Sequence, residues 1–168
     1  SFVKMQSIIT IRQDNRILLK GRVYGNSEDF YKTKTIEVEG ILGYFNDSIV
    51  RSYNFNGPVE DYLRFLIDQH NDQVKDHQKF KLGKVTVKDP NNYIVRASTE
   101  RPNTWSEINS KLIDLLGGYI CIRYEEDGNY IDYLEDFTDV ATQEISFSVN
   151  LLDLTSESKA DTLATCII

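Results

Sequence analysis

Apolar and polar residues alternate along this chain with two different periods, which predicts a mixed α+β fold. Residues 6–24 hold two β-branched runs separated by a polar QDNR segment at 13–16, and this predicts a β-hairpin because Asp and Asn tolerate turn geometry. Residues 34–39 alternate strictly, as in an antiparallel strand with one face in water. Residues 25–32 between these strands are predicted to form a loop, and residues 41–45 fit either a helical turn or a bent strand.

A first helix is predicted after Gly57-Pro58, because a proline at the first helical position gives up an amide that has no partner there. The acidic residues Glu60 and Asp61 suit the positive end of the helix dipole. The predicted buried face consists of residues at helical spacing: Val59, Tyr62, Leu63, Leu66, His70 and Val74. Strands at 80–88 and 93–98 follow, separated by a turn at 89–92.

A second helix is predicted to begin at Thr104, because Thr104 with Glu107 three residues later matches a capping box. The Gly117-Gly118 pair can end this helix in the left-handed conformation. Its predicted buried stripe is Trp105, Ile108, Leu112, Leu115 and Leu116. A hairpin then follows, with a tight turn predicted at Asp127-Gly128.

The order of these elements predicts the domain organisation. Residues 1–55 together with 137–168 are expected to form a β-barrel-like domain, since β-like alternation returns at 144–154 and 162–168. Residues 56–136 are expected to form an α/β insertion of two helices and about four strands. The sequence shows neither an internal repeat nor a low-complexity tract.

Composition and charge narrow the classes of function. With 168 residues the chain is long enough to bury a core without disulfides or metal, and its ten tyrosines favour sheet faces and contact surfaces. The net charge of −7 argues against specific nucleic-acid binding and against anionic membrane surfaces, since both attract basic proteins. Apolar runs are too short for membrane insertion through a spanning helix.

The cysteines and the ends of the sequence add two expectations. Cys121 and Cys166 lie in apolar β-like runs and are expected to be buried free thiols. The sequence begins with Ser, lacks a secretory signal and stops within an apolar run, so we expect it to be a fragment of a longer protein.

Candidate chemistry was sought among the residues that usually carry it. His70 and His77 are seven positions apart, unlike the pair of a zinc-binding helix, and a hydrogen-bonded or surface role is expected for both. There is no G-x-S-x-G motif, and Cys–His chemistry between distant residues is disfavoured but stays open. Gly21, Gly25 and Gly40 do not fit a phosphate-binding loop.

Two acidic groups were weighed as cation sites. Residues 125–129 lack the ligand spacing of a calcium loop and are expected to form a solvated hairpin turn. Glu135 and Asp136 with Asp139 could hold a cation or serve as a carboxylate pair, but a charged rim at a strand end is favoured. We therefore expect no catalytic residue, no cofactor and no metal site.

Several segments, in order along nearly the whole chain, resemble phage and prophage tail proteins of the tail-associated, or prophage endopeptidase tail, family. The resemblance is carried in 18–51 by four short matches, Lys20-Gly21-Arg22-Val23, Asp29-Phe30-Tyr31, Glu39-Gly40 and Phe45-Asn46-Asp47-Ser48. Residues 65–87, 111–137 and 150–168 are also similar to segments of that family.

The resemblance implies a fold similar to the myophage baseplate hub, in which three copies form a ring that closes the end of the tail tube. It implies a location in the virion at the tail tip or baseplate, with the host cytoplasm as the place of assembly. The expected partners are further copies of the chain and other tail proteins, such as the distal tail and tape-measure proteins.

The leading hypothesis is therefore a structural component of a tail tip, which is not an enzyme in this segment. A tail-associated cell-wall hydrolase (an endopeptidase or lysin) is the alternative, and a host-receptor-binding module is a weaker one. An acidic chain would also suit a channel through which DNA slides without sticking.

Overall fold

Eight strands and three α-helices lie in residues 3–14 and 16–136, the part of the chain that our computed structural model describes. The predicted α+β class is confirmed. The strands are β1 Ile8–Gln13, β2 Arg16–Glu28, β3 Lys34–Gly40, β4 Tyr53–Gly57, β5 Phe80–Val85, β6 Ile94–Ser98, β7 Tyr119–Glu125 and β8 Gly128–Leu134. The helices are α1 Val59–Asn71, α2 Thr104–Ile108 and α3 Asp114–Leu116. The β-like segments that the sequence predicts within 137–168 lie outside the described residues.

The first sheet is an antiparallel meander in the order β1-β2-β3, which confirms the predicted hairpin and the strand at 34–39. Strand β2 extends further than predicted. Residues 25–28, which were expected to lie in the loop, pair with β3. Gly21 stands opposite Gly40, and a Cβ on Gly21 would come within 2.2 Å of the Glu39 carbonyl oxygen. Glycine at this position therefore lets β2 and β3 approach each other.

Two further sheets follow, one of β4 and β6 and one in the order β5-β8-β7. Strands β5 and β6 are consecutive in the chain but lie in different sheets, and β5 pairs with β8 in parallel. The predicted hairpin of β7 and β8 is confirmed, with Glu125 opposite Gly128, so its turn lies one residue earlier than predicted, at 126–127. None of the three sheets in the described part closes into a barrel, and the hub-type architecture stays a prediction.

Helix α1 begins at Val59, and Pro58 is its N-cap with an extended backbone, so the prediction that a proline takes the first helical position is wrong by one residue. The predicted buried face is confirmed for Val59, Tyr62, Leu63, Leu66 and His70. Val74 lies beyond the end of the helix and is half-buried.

Helix α2 begins at Thr104, one residue earlier than a Thr104 cap would require, so the predicted capping box is wrong. Asn103 is the N-cap, and its side-chain oxygen accepts the Ser106 amide at 2.7 Å. Thr104 and Glu107 are both buried and hydrogen-bond to residues of other elements. The two side chains that the sequence pattern assigned to the cap therefore make tertiary hydrogen bonds.

The predicted stripe of the second helix is only partly confirmed. Ile108 and Leu112 are fully buried, Trp105 and Leu116 are half-buried, and Leu115 is 59% exposed. A π-helical segment, Asn109–Ile113, joins α2 to α3, and its wider turns shift the phase of the residues that follow. The helix ends as predicted, since Gly117 and Gly118 both have positive φ angles, +72° and +82°.

The core is assembled around a 3₁₀ turn, Ile41–Asp47, which settles the ambiguity at 41–45. Ile41, Tyr44 and Phe45 from this turn are packed against α1, α2 and the second and third sheets. The remaining buried members are Val50, Val59, Tyr62, Leu63, Leu66, Ile67, Phe80, Val87, Ile94, Ile108, Leu112, Ile131 and Tyr133. Among the described residues, no helix has the length and apolar content needed to cross a membrane.

Candidate functional site

An ion-pair cluster surrounds Arg22, where the first sheet meets the 3₁₀ turn. Strand β2 presents Arg22, whose side chain is only 7% exposed. Its Nε donates to Glu39 Oε2 at 2.6 Å, and its two terminal nitrogens donate to the two carboxylate oxygens of Asp47, one of them at 3.0 Å. Burial opposes the charge of Arg22, but its hydrogen bonds to Asp47 and Glu39 outweigh this effect and raise the pKa of the guanidinium.

Further contacts join this cluster to the core. The Arg22 guanidinium lies 5.2 Å from the centre of the Tyr44 ring, a cation–π distance. Gln78 donates to Asp47 Oδ2 at 2.8 Å and so joins the end of the α1 region to the same carboxylate. The cluster therefore fixes the first sheet against the turn and the helix.

Three of the four short segments singled out in the sequence analysis meet at this cluster. They contribute Arg22 from 20–23, Glu39 from 39–40 and Asp47 from 45–48. The fourth, 29–31, lies at the tip of the β2–β3 hairpin. The sequence alone did not predict this ion-pair cluster, since 17 and 25 positions separate Arg22 from its partners.

A second polar network lies in the core beside the first. Ser48 Oγ is 2.6 Å from Nδ1 of His70 and 2.7 Å from Oγ1 of Thr104. Nε2 of His70 is 3.1 Å from the Gln78 carbonyl oxygen, which can only accept, so Nε2 carries the proton and Nδ1 accepts from Ser48. Burial lowers the pKa of His70, which favours this neutral form.

The Ser48–His70 pair has the spacing of a nucleophile and its base, but it is closed to solvent. Ser48 is 2% exposed and His70 is fully buried. A substrate cannot reach either atom in this conformation, and the network ties the 3₁₀ turn, α1 and α2 together. The prediction that His70 is a hydrogen-bonded histidine on the apolar face is confirmed, and His77 is exposed, as the surface alternative predicted.

A third network surrounds Glu107, which is buried on α2. The hydroxyl of Tyr53 donates to Glu107 Oε1 and lies 2.5 Å from the hydroxyl of Tyr62. Burial, with the hydrogen bond to Glu107, strongly raises the pKa of Tyr53, and burial also raises that of Tyr62. Both phenols therefore stay protonated and serve as donors.

The acidic turn at 125–129 is occupied by ion pairs. Asp127 Oδ2 accepts from Lys81 Nζ at 2.6 Å and from the Tyr130 hydroxyl at 2.8 Å. Glu125 accepts from Arg123, which also pairs with Asp132 at 3.0 Å. These contacts fit the expected solvated hairpin turn.

Other predicted positions lie apart from the three networks. Glu135 follows β8, and its amide donates to Thr86 Oγ1 at 2.9 Å. Asp139 and Cys166 lie outside the described residues. Cys121 on β7 is a half-buried thiol, and burial raises its pKa. Within residues 3–14 and 16–136, no three His, Cys, Asp or Glu side chains are grouped so as to hold a metal ion.

The first sheet leaves an unusual amount of apolar surface in water. Ile8, Ile11, Leu18 and Tyr24 are each exposed, and none of them belongs to the main core. At the hairpin tip, Phe30 is 92% exposed and Tyr31 84% exposed, with their rings in an edge contact at 5.6 Å. Large exposed apolar surface of this kind is typical of an interaction site.

The turn that carries this aromatic pair is well defined. The Asp29 amide donates to the Thr33 carbonyl at 3.1 Å, and Asp29 Oδ1 accepts the Thr33 amide at 2.8 Å. Lys32 takes a positive φ of 66° to close the turn. The aromatic side chains are therefore presented by an ordered backbone.

Comparison with known proteins adds no relationship to these observations. No protein-family model matches the chain, and no curated protein matches it either.

Proposed function

We propose that this chain is a structural component of a phage tail tip or baseplate hub. Copies of it would form a ring, expected to be threefold, that closes or continues the tail tube and docks neighbouring tail proteins. The distal tail and tape-measure proteins are the expected neighbours, in a virion assembled in the host cytoplasm. The proposal starts from the resemblance of the sequence to tail-associated proteins.

The observation that carries the proposal is the exposed apolar surface of the first sheet with Phe30 and Tyr31 at its tip. A ring needs a large complementary surface on each subunit and no reactive group. Strands β1 and β3 are the outer strands of the described order β1-β2-β3. Aromatic residues such as the pair at the hairpin tip are enriched in protein interfaces.

The convergence of the family-like segments gives secondary support. Arg22, Glu39 and Asp47 hold the exposed sheet against the core by partly buried ion pairs. A sheet that is fixed in this way presents its surface to a partner with little loss of conformational entropy.

Electron microscopy of the intact gene product tests this proposal. We expect threefold rings about as wide as a tail tube. Particles without rotational symmetry, or symmetric particles without a central opening, contradict the proposal.

The hydrolase alternative is favoured by one observation, the Ser48–His70 distance, and opposed by the burial of both residues. Turbidity of purified cell walls, measured with the wild type and with Ser48→Ala, separates the two functions. Clearing of the walls that depends on Ser48 supports the hydrolase. The structural proposal expects no clearing that this substitution abolishes.

A further inference from the structure

A second feature of the molecule is a pocket next to the Arg22 cluster. It has a volume of about 270 Å³ and lies between the segment before β1, the 3₁₀ turn and the loop after α1. Its walls are formed mainly by Met5, Gln6, Tyr44, Lys75, His77 and Gln78. A space of this size holds a small polar molecule.

The polar groups of the pocket are mostly hydrogen-bond donors. Lys75, His77 and Arg22 supply N–H groups, and among the described residues no carboxylate side chain lines the pocket. Three other grooves in the described part each include carboxylates. Asp14, Glu125 and Glu126 lie beside four basic residues in one, Glu60 and Asp61 lie beside Lys88 in the next, and Glu37 and Glu39 line the third. In a chain with a net charge of −7, a pocket of donors is a specific local feature.

Tyr44 supplies the most informative wall of the pocket. The residue is 2% exposed, and its hydroxyl has no hydrogen-bond partner among the residues that the structure describes. Since no fully buried side-chain polar atom in the described part lacks a partner, this hydroxyl is in contact with solvent. Tyr44 also lines the pocket, so its side chain lies beside any ligand bound there.

The residues around the pocket leave the Lys75 ammonium and the His77 ring N–H for a ligand. The charge of Arg22 is balanced by Glu39 and Asp47. The guanidinium has five N–H groups and makes three hydrogen bonds to these carboxylates. Lys75 and His77 lie exposed at the rim, and neither has a carboxylate partner in an ion pair within the described residues. Asp76 between them pairs with Lys79 at 2.8 Å.

We propose that this pocket binds a small anionic ligand through a phosphate or carboxylate group. The anion would be held by Lys75 and His77 at the rim and would accept a hydrogen bond from the Tyr44 hydroxyl. Met5 and Ile8 would contact the apolar part of the ligand. This site goes beyond the proposed role in a tail tip and does not depend on ring formation.

Titration of the folded chain followed by amide NMR tests the proposal, with inorganic phosphate and glucuronate as the two probes at constant ionic strength. We expect saturable shifts for the amides of residues 75–78 and of Tyr44 with at least one probe. Saturation by phosphate alone identifies a phosphate-bearing ligand, and saturation by glucuronate alone identifies a carboxylate. No saturable shift with either probe up to tens of millimolar overturns the proposal.

Two variants and their matched controls decide whether binding occurs in this pocket. Tyr44→Phe removes only the hydroxyl and Lys75→Gln removes an exposed charge, so both should keep the fold; each is expected to weaken binding at least threefold. Tyr24→Phe and Lys84→Gln make the same changes at exposed positions outside the pocket and should leave the dissociation constant unchanged. Equal affinity in all four variants overturns the proposal and identifies an adventitious ion only.

Discussion

Ser48 Oγ lies 2.6 Å from Nδ1 of His70, although 22 positions separate the two residues in the chain. The contact joins the end of the 3₁₀ turn to the last turn of α1, and Thr104 extends it to α2. All three side chains are buried. In a dry core, His70 Nδ1 and Thr104 Oγ1 both depend on Ser48 Oγ for their hydrogen bonds.

We predict that Ser48→Ala destabilises the chain by about 1–3 kcal/mol, because it leaves the buried Nδ1 of His70 without its donor and Thr104 without its acceptor. Urea denaturation followed by far-UV circular dichroism measures the change. Ser110→Ala is the matched control, since Ser110 is exposed and should change the free energy of unfolding by less than about 0.5 kcal/mol. An equal effect of both substitutions would mean that the Ser48–His70 network contributes nothing to stability.

The same network predicts a dependence of stability on pH. Burial lowers the pKa of His70, so the folded chain binds this proton less readily than the unfolded chain. The stabilisation is complete above the unfolded pKa of about 6.5 and is lost as the pH falls through the lowered folded pKa, at up to about 1.4 kcal/mol per pH unit.

Urea denaturation between pH 7.5 and roughly pH 5.5 tests this dependence, since carboxylates titrate mainly below this range. His70→Gln should flatten the slope of unfolding free energy against pH. His77→Gln should retain the wild-type slope, because His77 is exposed. Retention of the slope in His70→Gln contradicts the assignment.

The Arg22 cluster predicts a difference between two identical substitutions. Arg22→Lys keeps the charge but loses the bidentate contact with Asp47, and we expect a loss of about 1–3 kcal/mol. Arg64→Lys changes an exposed i,i+4 pair with Glu60 and should cost less than about 0.5 kcal/mol. Thermal unfolding of both variants decides whether the buried geometry of Arg22 matters.

The π-helical segment predicts opposite behaviour for two leucines three residues apart. Leu112→Ala should destabilise the chain by about 2–5 kcal/mol, because Leu112 is fully buried. Leu115→Ala should cost less than about 1 kcal/mol, because Leu115 is 59% exposed. If the helix were a regular α-helix with the predicted stripe, the two losses measured by urea denaturation would be similar.

Local patterns predicted most of the elements, since turns and amphipathic faces depend on neighbouring residues. The β1–β2 hairpin, the buried face of α1 and the glycine end at Gly117 and Gly118 are examples. Strand β4 was not predicted, because its sequence, YNFNG, includes two asparagines, which strands usually disfavour. The parallel pairing of β5 with β8 depends on the path of the chain between them, which no local pattern encodes.

The polar networks could not be predicted from the sequence, because they also join residues that are distant in the chain. Thr104 and Glu107 have the residue types of a capping box. Their side chains instead hydrogen-bond to distant residues, Ser48 and Tyr53. A charged residue within a β-branched run, such as Arg22 between Gly21 and Val23, was the available signal of a buried ion pair. The sequence could mark Arg22 as unusual without identifying Glu39 or Asp47 as its partners.

The central claim is that this chain works through subunit contact, and the aromatic hairpin tip offers a direct test of it. Sedimentation equilibrium should give a trimer mass for the wild type at high concentration and a monomer mass for the double variant Phe30→Ser, Tyr31→Ser. Tyr93→Ser with Leu115→Ser, which removes exposed apolar side chains elsewhere, should stay trimeric. A monomeric wild type at every concentration, or a hairpin-tip variant with the wild-type trimer mass, would contradict the account.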